Sequence, residues 1–443
     1  MKRRDFLKST VAVSTGLTIL PSGTLSGVNA ASNKLNIALI GTWGRGLVFD
    51  DVLKKNNVVA LCDIDENHLG AAGEKYPGAT KYIDWRKCLE QKGIEAVICA
   101  TPDHHHAFVA NWAMNRGQHV FCEKPLAISV EEARVVQATY QKYKHKLATQ
   151  HGTQRNAFPN LSRIRELIQD GAIGELRWVR TWGNRRIRKD GYLPAKGQPP
   201  KTLHWDQWLG PAPNHPYNPG YFDAKNPGAN CLNWNMFWDF GLGQAGDMGM
   251  HNMDIAWNAI DAGLPTAATA EGDPFNPDVT PVKLRLQFDH PANDWRGPIT
   301  VFWHQGGDMP HSPLRHVELN RIPNGAMFMG TKGFLIADYR TRLIYPVGRD
   351  ADFSYYSSRG EEKRIPDTGH FVEEWVNACK GDLKTSCDFD YAGKMCEQMA
   401  LGLVAYRVGK KLEYDGKSGC VTNSPEANAL LAKDYRKGWA LNG

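Results

Sequence analysis

An acid and an imidazole lie four residues apart in the stretch Asp247-Met-Gly-Met-His251-Asn-Met-Asp254. Residues 244–262 are predicted to form a helix, on which Asp247, His251 and Asp254 project within about 60° of one another. This face presents a group that exchanges protons near neutral pH beside a carboxylate. The alternative is that Asp247 caps the helix and that His251 is a hydrogen-bonded core histidine. Asp254 is interpreted as structural.

A glycine-rich turn follows the first apolar strand, residues 35–40. It reads Gly41-Thr-Trp43-Gly44-Arg45-Gly46, and a predicted helix (47–55) and a second strand (57–61) lead to Asp63. Glycines allow a pyrophosphate to approach the backbone, and the amides of a helix N-terminus bind its charge. An acid about 20 residues on accepts from ribose hydroxyls and repels a 2′-phosphate, so NAD is favoured over NADP.

The turn departs from the G-x-G-x-x-G pattern at its second glycine, where the residue is Trp43. Two interpretations stay open at this position. Either Gly44 provides the close approach to the cofactor, or Trp43 lies over it.

Lys124 follows a predicted strand at 119–122. Ligands of parallel sheets bind at the carboxyl ends of the strands, so Lys124 is expected beside the nicotinamide. Partial desolvation and a cationic ring would lower its pKa toward neutrality, and it would share in proton transfer from a substrate hydroxyl. The alternative is an ordinary surface lysine paired with Glu123.

Strands and helices alternate through residues 34–154, which predicts a Rossmann domain with a doubly wound parallel sheet. Residues 155–443 are assigned to a second α/β domain that contacts substrate and other subunits. Its period-two runs predict a large, open, mostly antiparallel sheet, and they are residues 176–182, 282–288, 299–303, 326–329 and 333–337. Residues 183–243 are predicted to be a long loop that covers the site.

Four signatures resemble, in order, those of the Gfo/Idh/MocA oxidoreductase family, which includes glucose–fructose oxidoreductase and inositol dehydrogenase. They are the glycine turn 41–46, Thr101-Pro102-Asp103-His104, Glu123-Lys124-Pro125 and the stretch 247–254. The resemblance extends from about residue 35 to the C-terminus. It implies a bound NAD, a homo-oligomer assembled through the second sheet, and helices near 367–411 that pack back on the first domain.

The resemblance also implies roles for individual residues. His251 would be the acid/base partner of Lys124, and Asp247 would hold the substrate or the imidazole. Which of His251 and Lys124 takes the proton first stays open. The implied contacts to the cofactor are Gly41, Trp43, Gly44, Arg45, Gly46, Asp63, Thr101, Pro102, His104, His106 and Glu123.

Three consecutive histidines, 104–106, raise the question of a metal site. Adjacent residues on regular backbone cannot all face one ion, and no histidine pair has zinc spacing, so no metal is predicted. His105 is expected to face solvent. The basic run 185–189 would suit an acidic or phosphorylated sugar, although a solvated charge run is the simpler interpretation. The candidates for substrate contact are Gln154, Arg155, Trp182, Arg186, Tyr192 and Trp234.

The first 30 residues have the features of a twin-arginine (Tat) signal peptide. Arg3-Arg4 precede an apolar run at 11–20, and small residues lead to a cleavage site after Ala30. The expected partner is therefore the Tat export machinery, and the expected location is periplasmic or exported. The alternative is an uncleaved anchor, but Pro21 ends the apolar run too early for a span, so no stable membrane span is expected after processing.

Composition excludes other classes. Of the 443 residues, 53 are Lys or Arg and 47 are Asp or Glu. This small excess, without a basic stripe, argues against nucleic acid as a partner.

The sequence as a whole predicts an NAD-dependent oxidoreductase that acts on a hydroxyl of a sugar, glycoside or polyol. Because the periplasm lacks a cytoplasm-like pool of free NAD, the cofactor is expected to be loaded before export and retained. Two alternatives stay open. One is a redox-neutral NAD-dependent glycoside hydrolase that oxidises, eliminates and reduces, and the other is a non-catalytic sugar-binding protein.

Overall fold

The structure is a computed structural model that describes residues 34–222, 226–348 and 352–442. The predicted signal peptide, residues 1–30, lies outside the described residues. From Leu35 onward the chain forms one structural unit, which contains two sheets.

The first sheet is parallel throughout and is flanked by helices on both faces. Its strands are β1 (Asn36–Ile40), β2 (Asn57–Cys62), β3 (Thr80–Tyr82), β4 (Ala96–Cys99), β5 (His119–Cys122) and β6 (Thr149–His151). The helices of this part are α1 (Asp50–Leu53), α2 (Glu66–Lys75), α3 (Trp85–Leu89), α4 (Asp103–Asn115), α5 (Val130–Tyr143) and α6 (Pro159–Gln169).

The strand order β3-β2-β1-β4-β5-β6 reverses direction at β1, which confirms the predicted doubly wound sheet. Side chains of β1 alternate between two cores. Ala38 and Ile40 belong to the core that contains α4 and α5, and Ile37 and Leu39 pack with α1 on the other face. The carboxyl ends of β1 and β4 therefore meet at the position where this fold binds ligands.

The second sheet has nine strands among the described residues, in the order β13-β12-β11-β7-β10-β9-β8-β14-β15. They are β7 (Leu176–Gly183), β8 (Ala267–Gly272), β9 (Leu284–His290), β10 (Ile299–Gln305), β11 (Asn324–Gly330), β12 (Gly333–Ala337), β13 (Arg342–Pro346), β14 (Leu412–Asp415) and β15 (Cys420–Val421). Only β7 and β10 pair in parallel in this part of the chain, so the predicted mostly antiparallel sheet is confirmed.

The remaining helices are α7 (Trp205–Leu209), α8 (Gly243–Gly246), α9 (Met248–Ala259), α10 (Phe371–Lys380), α11 (Phe389–Val408) and α12 (Pro425–Ala429). Helices α9 and α11 lie against one face of the second sheet. Helix α11 also packs on α5, and α10 contributes Trp375 to the core that holds Ile37. No helix within the described ranges combines the length and apolar character needed to cross a membrane.

The predicted helix 244–262 ends three residues early, since α9 stops at Ala259, and it is broken between α8 and α9 at Asp247. Its φ of −79° and ψ of −91° are not helical, and its side chain does not cap α9. The carboxylate instead makes ion pairs with two basic residues from other parts of the chain, so tertiary charge pairing outweighs local helix propensity here.

Candidate active site

The glycine turn connects β1 to a 3-10 turn at Gly44–Phe49, and helix α1 follows directly. Gly41 has φ +87°, and a Cβ on it would lie 2.5 Å from the carbonyl oxygen of Ala100. A Cβ on Gly46 would lie 2.1 Å from the carbonyl oxygen of Gly41. Both positions therefore require glycine, since a side chain would separate the turn from the end of β4.

Trp43 and Gly44 have different tasks in this turn. Gly44 is buried with φ +61° and shapes the backbone. Trp43 lines the cavity described below, and its ring stacks on His68 with 4.6 Å between ring centroids and planes 2° apart. The two rings together form an aromatic wall beside the end of β2.

Asp63 is held in place at the end of β2 by the glycine turn. Its Oδ2 accepts hydrogen bonds from the amide of Thr42 (2.8 Å) and from the Thr42 hydroxyl (2.9 Å), and Oδ1 accepts from the amide of Asp65 (3.0 Å). Residues 63–68 include no Lys or Arg. The local charge is therefore acidic where a dinucleotide places its adenosine ribose.

A single cavity of about 570 Å³ runs from this turn to the carboxyl end of β5 and the start of α9. It brings together most of the predicted cofactor residues and all three predicted catalytic residues. The predicted residues on its wall are Gly41, Trp43, Arg45, Asp63, Thr101, Pro102, His106, Glu123, Lys124, Gln154, Arg155, Trp234, Asp247 and His251.

Lys124 and Arg185 both bind the carboxylate of Asp247. The Lys124 ammonium donates to Oδ1, and Arg185 Nη1 donates to Oδ2 at 2.6 Å. Burial is the largest single effect on the pKa of Lys124 and lowers it, but the charges of Asp247, Cys231 and Asp103 and the hydrogen bond to Asp247 together outweigh burial and raise the pKa. The lysine pKa is predicted to fall beside a bound cationic nicotinamide, whereas the protein's own residues raise it, because folding brings the Asp247 carboxylate, 123 positions away in the sequence, to the ammonium group.

His251 is neutral, in contrast to the charged Lys124. It lies in the first turn of α9 and is 4% exposed. Burial, followed by the positive charges of Lys124 and Arg155, moves its pKa well below the usual value of 6.5. Its Nδ1 has no hydrogen-bond partner among the described residues. A neutral imidazole with a free polar atom therefore shares the cavity with an ammonium group.

His106 fastens two strand ends together. Its Nδ1 lies 2.7 Å from the carbonyl oxygen of Pro125, and its Nε2 lies 2.8 Å from that of Thr101. Carbonyl oxygens only accept, so both nitrogens must carry protons. Burial lowers the pKa of His106. The charges of Cys99 and Asp103 and the two carbonyl hydrogen bonds together outweigh burial and raise the pKa above its usual value, in agreement with a cationic ring.

The other two histidines differ from their predicted positions. His105 is buried and lines the cavity, so the expectation that it faces solvent is wrong. His104 does not line the cavity. Both rings lie within hydrogen-bond distance of the carbonyl oxygen of Trp208, at 2.8 Å for His104 and 2.9 Å for His105. They support the segment that covers the cavity.

One group of side chains in the described residues has the spacing of a metal site, formed by Cys99, His106 and Cys122. Both nitrogens of His106 already face carbonyl oxygens, so the ring has no lone pair for an ion. The cluster is better described as a packed core around a charged histidine.

Three predicted substrate residues lie elsewhere. Trp182 points to the face of the second sheet opposite α9, where its indole N–H donates to the carbonyl oxygen of Ile322 (2.6 Å). Tyr192 stacks on Phe237 behind the cavity wall. Arg186 is exposed and lies against the turn at Gly307. For Trp182, the period-two pattern of β7 predicts that successive side chains lie on opposite faces of the sheet, but it does not predict which face lies toward the site.

Arg185, from the basic run 185–189, binds Asp247, and part of the predicted covering loop 183–243 closes the cavity. Residues 200–209, here called the strap, cross the loop after β2. The amide of Glu66 donates to the Thr202 carbonyl and the amide of His204 donates to the Ile64 carbonyl, both at 2.9 Å. His204 Nε2 also lies 2.7 Å from Glu66 Oε1. The strap lies within residues 183–243, which the sequence predicts to cover the site.

Comparison with known families agrees with this geometry. Residues 35–151 match the model of an oxidoreductase family with an NAD-binding Rossmann fold. Residues 173–288 match the model of the C-terminal alpha/beta domain of the same family. The chain belongs to the Gfo/Idh/MocA oxidoreductase family.

Two curated relatives are similar to this Gfo/Idh/MocA chain over part of its length. A glycosyl hydrolase family 109 protein of Stenotrophomonas maltophilia is 33% identical over 196 residues, which are 40% of each chain. An inositol 2-dehydrogenase of Salmonella paratyphi B is 33% identical over 144 residues, 30% of this chain and 42% of that one. The chain thus spans about two fifths of the length of these relatives.

A solved structure extends the likeness in fold. The WlbA dehydrogenase of Bordetella pertussis, in complex with NADH and UDP-GlcNAcA, aligns with a TM-score of 0.59 at 15% identity. The alignment covers 86% of this Gfo/Idh/MocA chain and 99% of that one.

Proposed function

We propose that this protein is an NAD-dependent oxidoreductase that transfers hydride between a carbohydrate hydroxyl and a retained nicotinamide cofactor. One observation carries the proposal. A single cavity joins the glycine turn and Asp63 to the cluster of Lys124, Asp247 and His251. The relative named inositol 2-dehydrogenase supports a polyol or sugar as the substrate class.

The residues fit a dinucleotide, whose nicotinamide supplies the hydride acceptor when it is bound. Gly41 and Arg45 would face the phosphates, and Asp63 has one carboxylate lone pair left for a ribose hydroxyl. Glu123, which pairs with Arg45 at 2.7 Å, keeps a buried Oε2 without a partner in the described chain. The acidic loop after β2 favours NAD over NADP, because a 2′-phosphate would meet Asp63 without a compensating cation.

The protonation states assign the acid–base roles. The neutral imidazole of His251 accepts the proton of the reacting hydroxyl, and the Lys124 ammonium stabilises the charge that develops on the oxygen. Asp247 keeps Lys124 charged and orients it. The buried Oε1 of Gln154, also without a partner in the described residues, is available to a second hydroxyl. Such an array suits a ligand rich in hydroxyls.

We also propose that the protein folds around its cofactor before Tat export and acts in the periplasm. The support is the twin-arginine sequence together with the strap, whose hydrogen bonds to the loop after β2 oppose release of the nucleotide. A homo-oligomer stays a proposal based on the family resemblance, and the molecular mass in solution tests it.

The test is purification without added nucleotide, followed by denaturation and quantification of what is released. We expect about one NAD per chain. The loaded protein is then mixed with a panel of sugars and polyols, and the absorbance of reduced nicotinamide is recorded. A protein that contains no nucleotide and reduces none when NAD is added would contradict the proposal.

A second candidate is a redox-neutral glycoside hydrolase, which the similarity to the family 109 glycosyl hydrolase favours. The same residues would move the protons, while the nicotinamide would accept hydride from one carbon and return it after the aglycone has left by elimination and water has added. Aryl glycosides separate the two readings. Release of the aglycone indicates the hydrolase, and a keto-sugar with the glycosidic bond intact indicates net oxidation.

A further inference from the structure

The reacting end of the cavity contains more positive than negative charge. Lys124, Arg155 and Arg185 line it, whereas Asp247 alone pairs with two of these cations. The other carboxyls near this end are that of Glu123, which pairs with Arg45, and that of Asp103, where burial raises the pKa to about 7, so that it is partly protonated at neutral pH. Lys124, Arg155 and Arg185 therefore have only Asp247 as an ionised carboxylate partner within the cavity.

Arg155 is the cation without a carboxylate partner among the described residues. It lies in the 3-10 turn Gln154–Ala157 after β6. Its guanidinium stacks over the ring of Tyr339 at 4.2 Å, and the Tyr339 hydroxyl donates to Asn252 in α9. The contact with the ring orients the guanidinium, and no carboxylate of the described residues pairs with it, so it can bind an anion.

The position of Arg155 separates it from the phosphates of the cofactor. Arg45, on the glycine turn itself, is the cation placed for a pyrophosphate, and it is fixed by Glu123. Arg155 instead lies over the ring of Tyr339, which is hydrogen-bonded to Asn252, the neighbour of His251 in α9. The anion that Arg155 meets is therefore a part of the substrate near the proton acceptor.

We propose that the substrate is a sugar acid whose carboxylate binds Arg155, with Arg185 as the second cation. The inference rests on the proposed function for the identity of the site, and it names the substrate class of that site. A planar carboxylate matches one guanidinium in a two-point contact. A neutral hexose would leave the Arg155 charge partly buried and unpaired.

The test measures binding without turnover. Purified protein with its retained nucleotide is titrated calorimetrically with matched pairs, glucuronate against glucose and galacturonate against galactose, and with the methyl glycosides of each, at constant ionic strength. We expect at least one acid to bind about 10- to 100-fold more tightly than its neutral counterpart, the range for charged hydrogen bonds. Equal binding of every pair, or no detectable binding, would overturn the inference.

Substitutions of Arg155 test whether this residue causes the preference for the sugar acid. Arg155→Gln should remove the preference for the acid over its neutral counterpart, and Arg155→Lys should restore only part of it. Arg188→Gln is the matched control, since Arg188 is exposed and pairs with Asp190 outside the cavity. An acid preference that survives Arg155→Gln, or a stronger preference for sugar phosphates or sulfates, would also overturn the inference. If only neutral sugars transfer hydride to the nicotinamide, the proposed function holds and the sugar-acid substrate is rejected.

Discussion

At the scale of single residues, the site depends on two neighbouring groups in opposite charge states. The Asp247 carboxylate keeps Lys124 protonated, and burial beside cations keeps His251 neutral. Neither state was predictable from the local sequence, since each depends on partners brought together by folding. The motifs did predict which residues line the cavity, because strand ends and helix starts converge there in this fold.

Replacing either group should reduce turnover without releasing the cofactor. For Lys124→Ala and His251→Asn we expect kcat to fall about 10²- to 10⁴-fold, the usual contribution of a positioned acid or base. Nucleotide content after purification should stay at the wild-type level. Lys92→Ala is the control, because Lys92 is exposed in the turn before β4 and lies outside the cavity. Unchanged kcat in both site variants would reject the assignment.

The same charge states predict the pH dependence of kcat. Activity requires neutral His251, whose pKa is lowered, so this form is lost only well below pH 6.5. Activity also requires protonated Lys124, whose pKa is raised, so this form is lost only above pH 10.5. We expect a plateau between about pH 7 and 9. Asp103→Asn, measured in parallel, identifies any inflection due to that carboxyl. A bell with a maximum near pH 7 in both proteins would contradict these states.

At the scale of elements, the glycine turn is the part of the site in which a single methyl group matters most. Gly41→Ala forces a Cβ to 2.5 Å from the Ala100 carbonyl oxygen at a positive φ, so we expect loss of bound nucleotide and a lower free energy of unfolding. Gly70→Ala is the matched control. Gly70 lies inside α2 with no atom near its Cβ position, so alanine should stabilise by about 0.5–1 kcal/mol. Urea denaturation of both variants measures the contrast.

The strap can be loosened at one backbone hydrogen bond. Glu66 is the first residue of α2, where proline is tolerated, and Asp65 before it is extended. Glu66→Pro removes the N–H that donates to Thr202, together with the side-chain contact to His204. We expect release of the nucleotide to become about fivefold faster, as for one hydrogen bond of about 1 kcal/mol. Glu66→Ala keeps the N–H and should have a smaller effect. Release is followed by dialysis and by tryptophan fluorescence, and equal rates in the three proteins would show that the strap does not retain the cofactor.

Sequence motifs correctly indicate those features of the fold that depend only on residues close together in the chain. The start of α5 is an example, because Ser129 and Glu132 have the spacing of a capping box: Ser129 Oγ accepts from the amide of Glu132, and Glu132 Oε2 accepts from the amide of Ile128. The interruption at Asp247 and helix α7 inside the predicted loop were missed. In both, contacts between distant segments decide the backbone, and a single sequence does not contain them.

At the scale of the whole molecule, segments that follow strands of both sheets line one cavity, and the strap crosses the loop after β2 at its edge. Alternating strands and helices predicted the first sheet, and period-two runs predicted the second. Neither pattern could show that Lys124, after a strand of the first sheet, and Arg185, after a strand of the second, would meet at Asp247. An enzyme that keeps its cofactor in such a cavity must complete its redox cycle without exchanging it.

Retention therefore predicts a specific kinetic signature. Without a second substrate, mixing the loaded protein with its sugar should give at most one reduced nicotinamide per chain and then stop, because the hydride has no further acceptor. Adding a carbonyl sugar in excess should restore turnover, and adding free NAD should not. A redox-neutral hydrolase would instead turn over continuously without accumulating reduced nicotinamide. Continuous reduction that depends on free NAD would show that the cofactor exchanges, and it would reject retention while leaving the roles of Lys124 and His251 to the variants above.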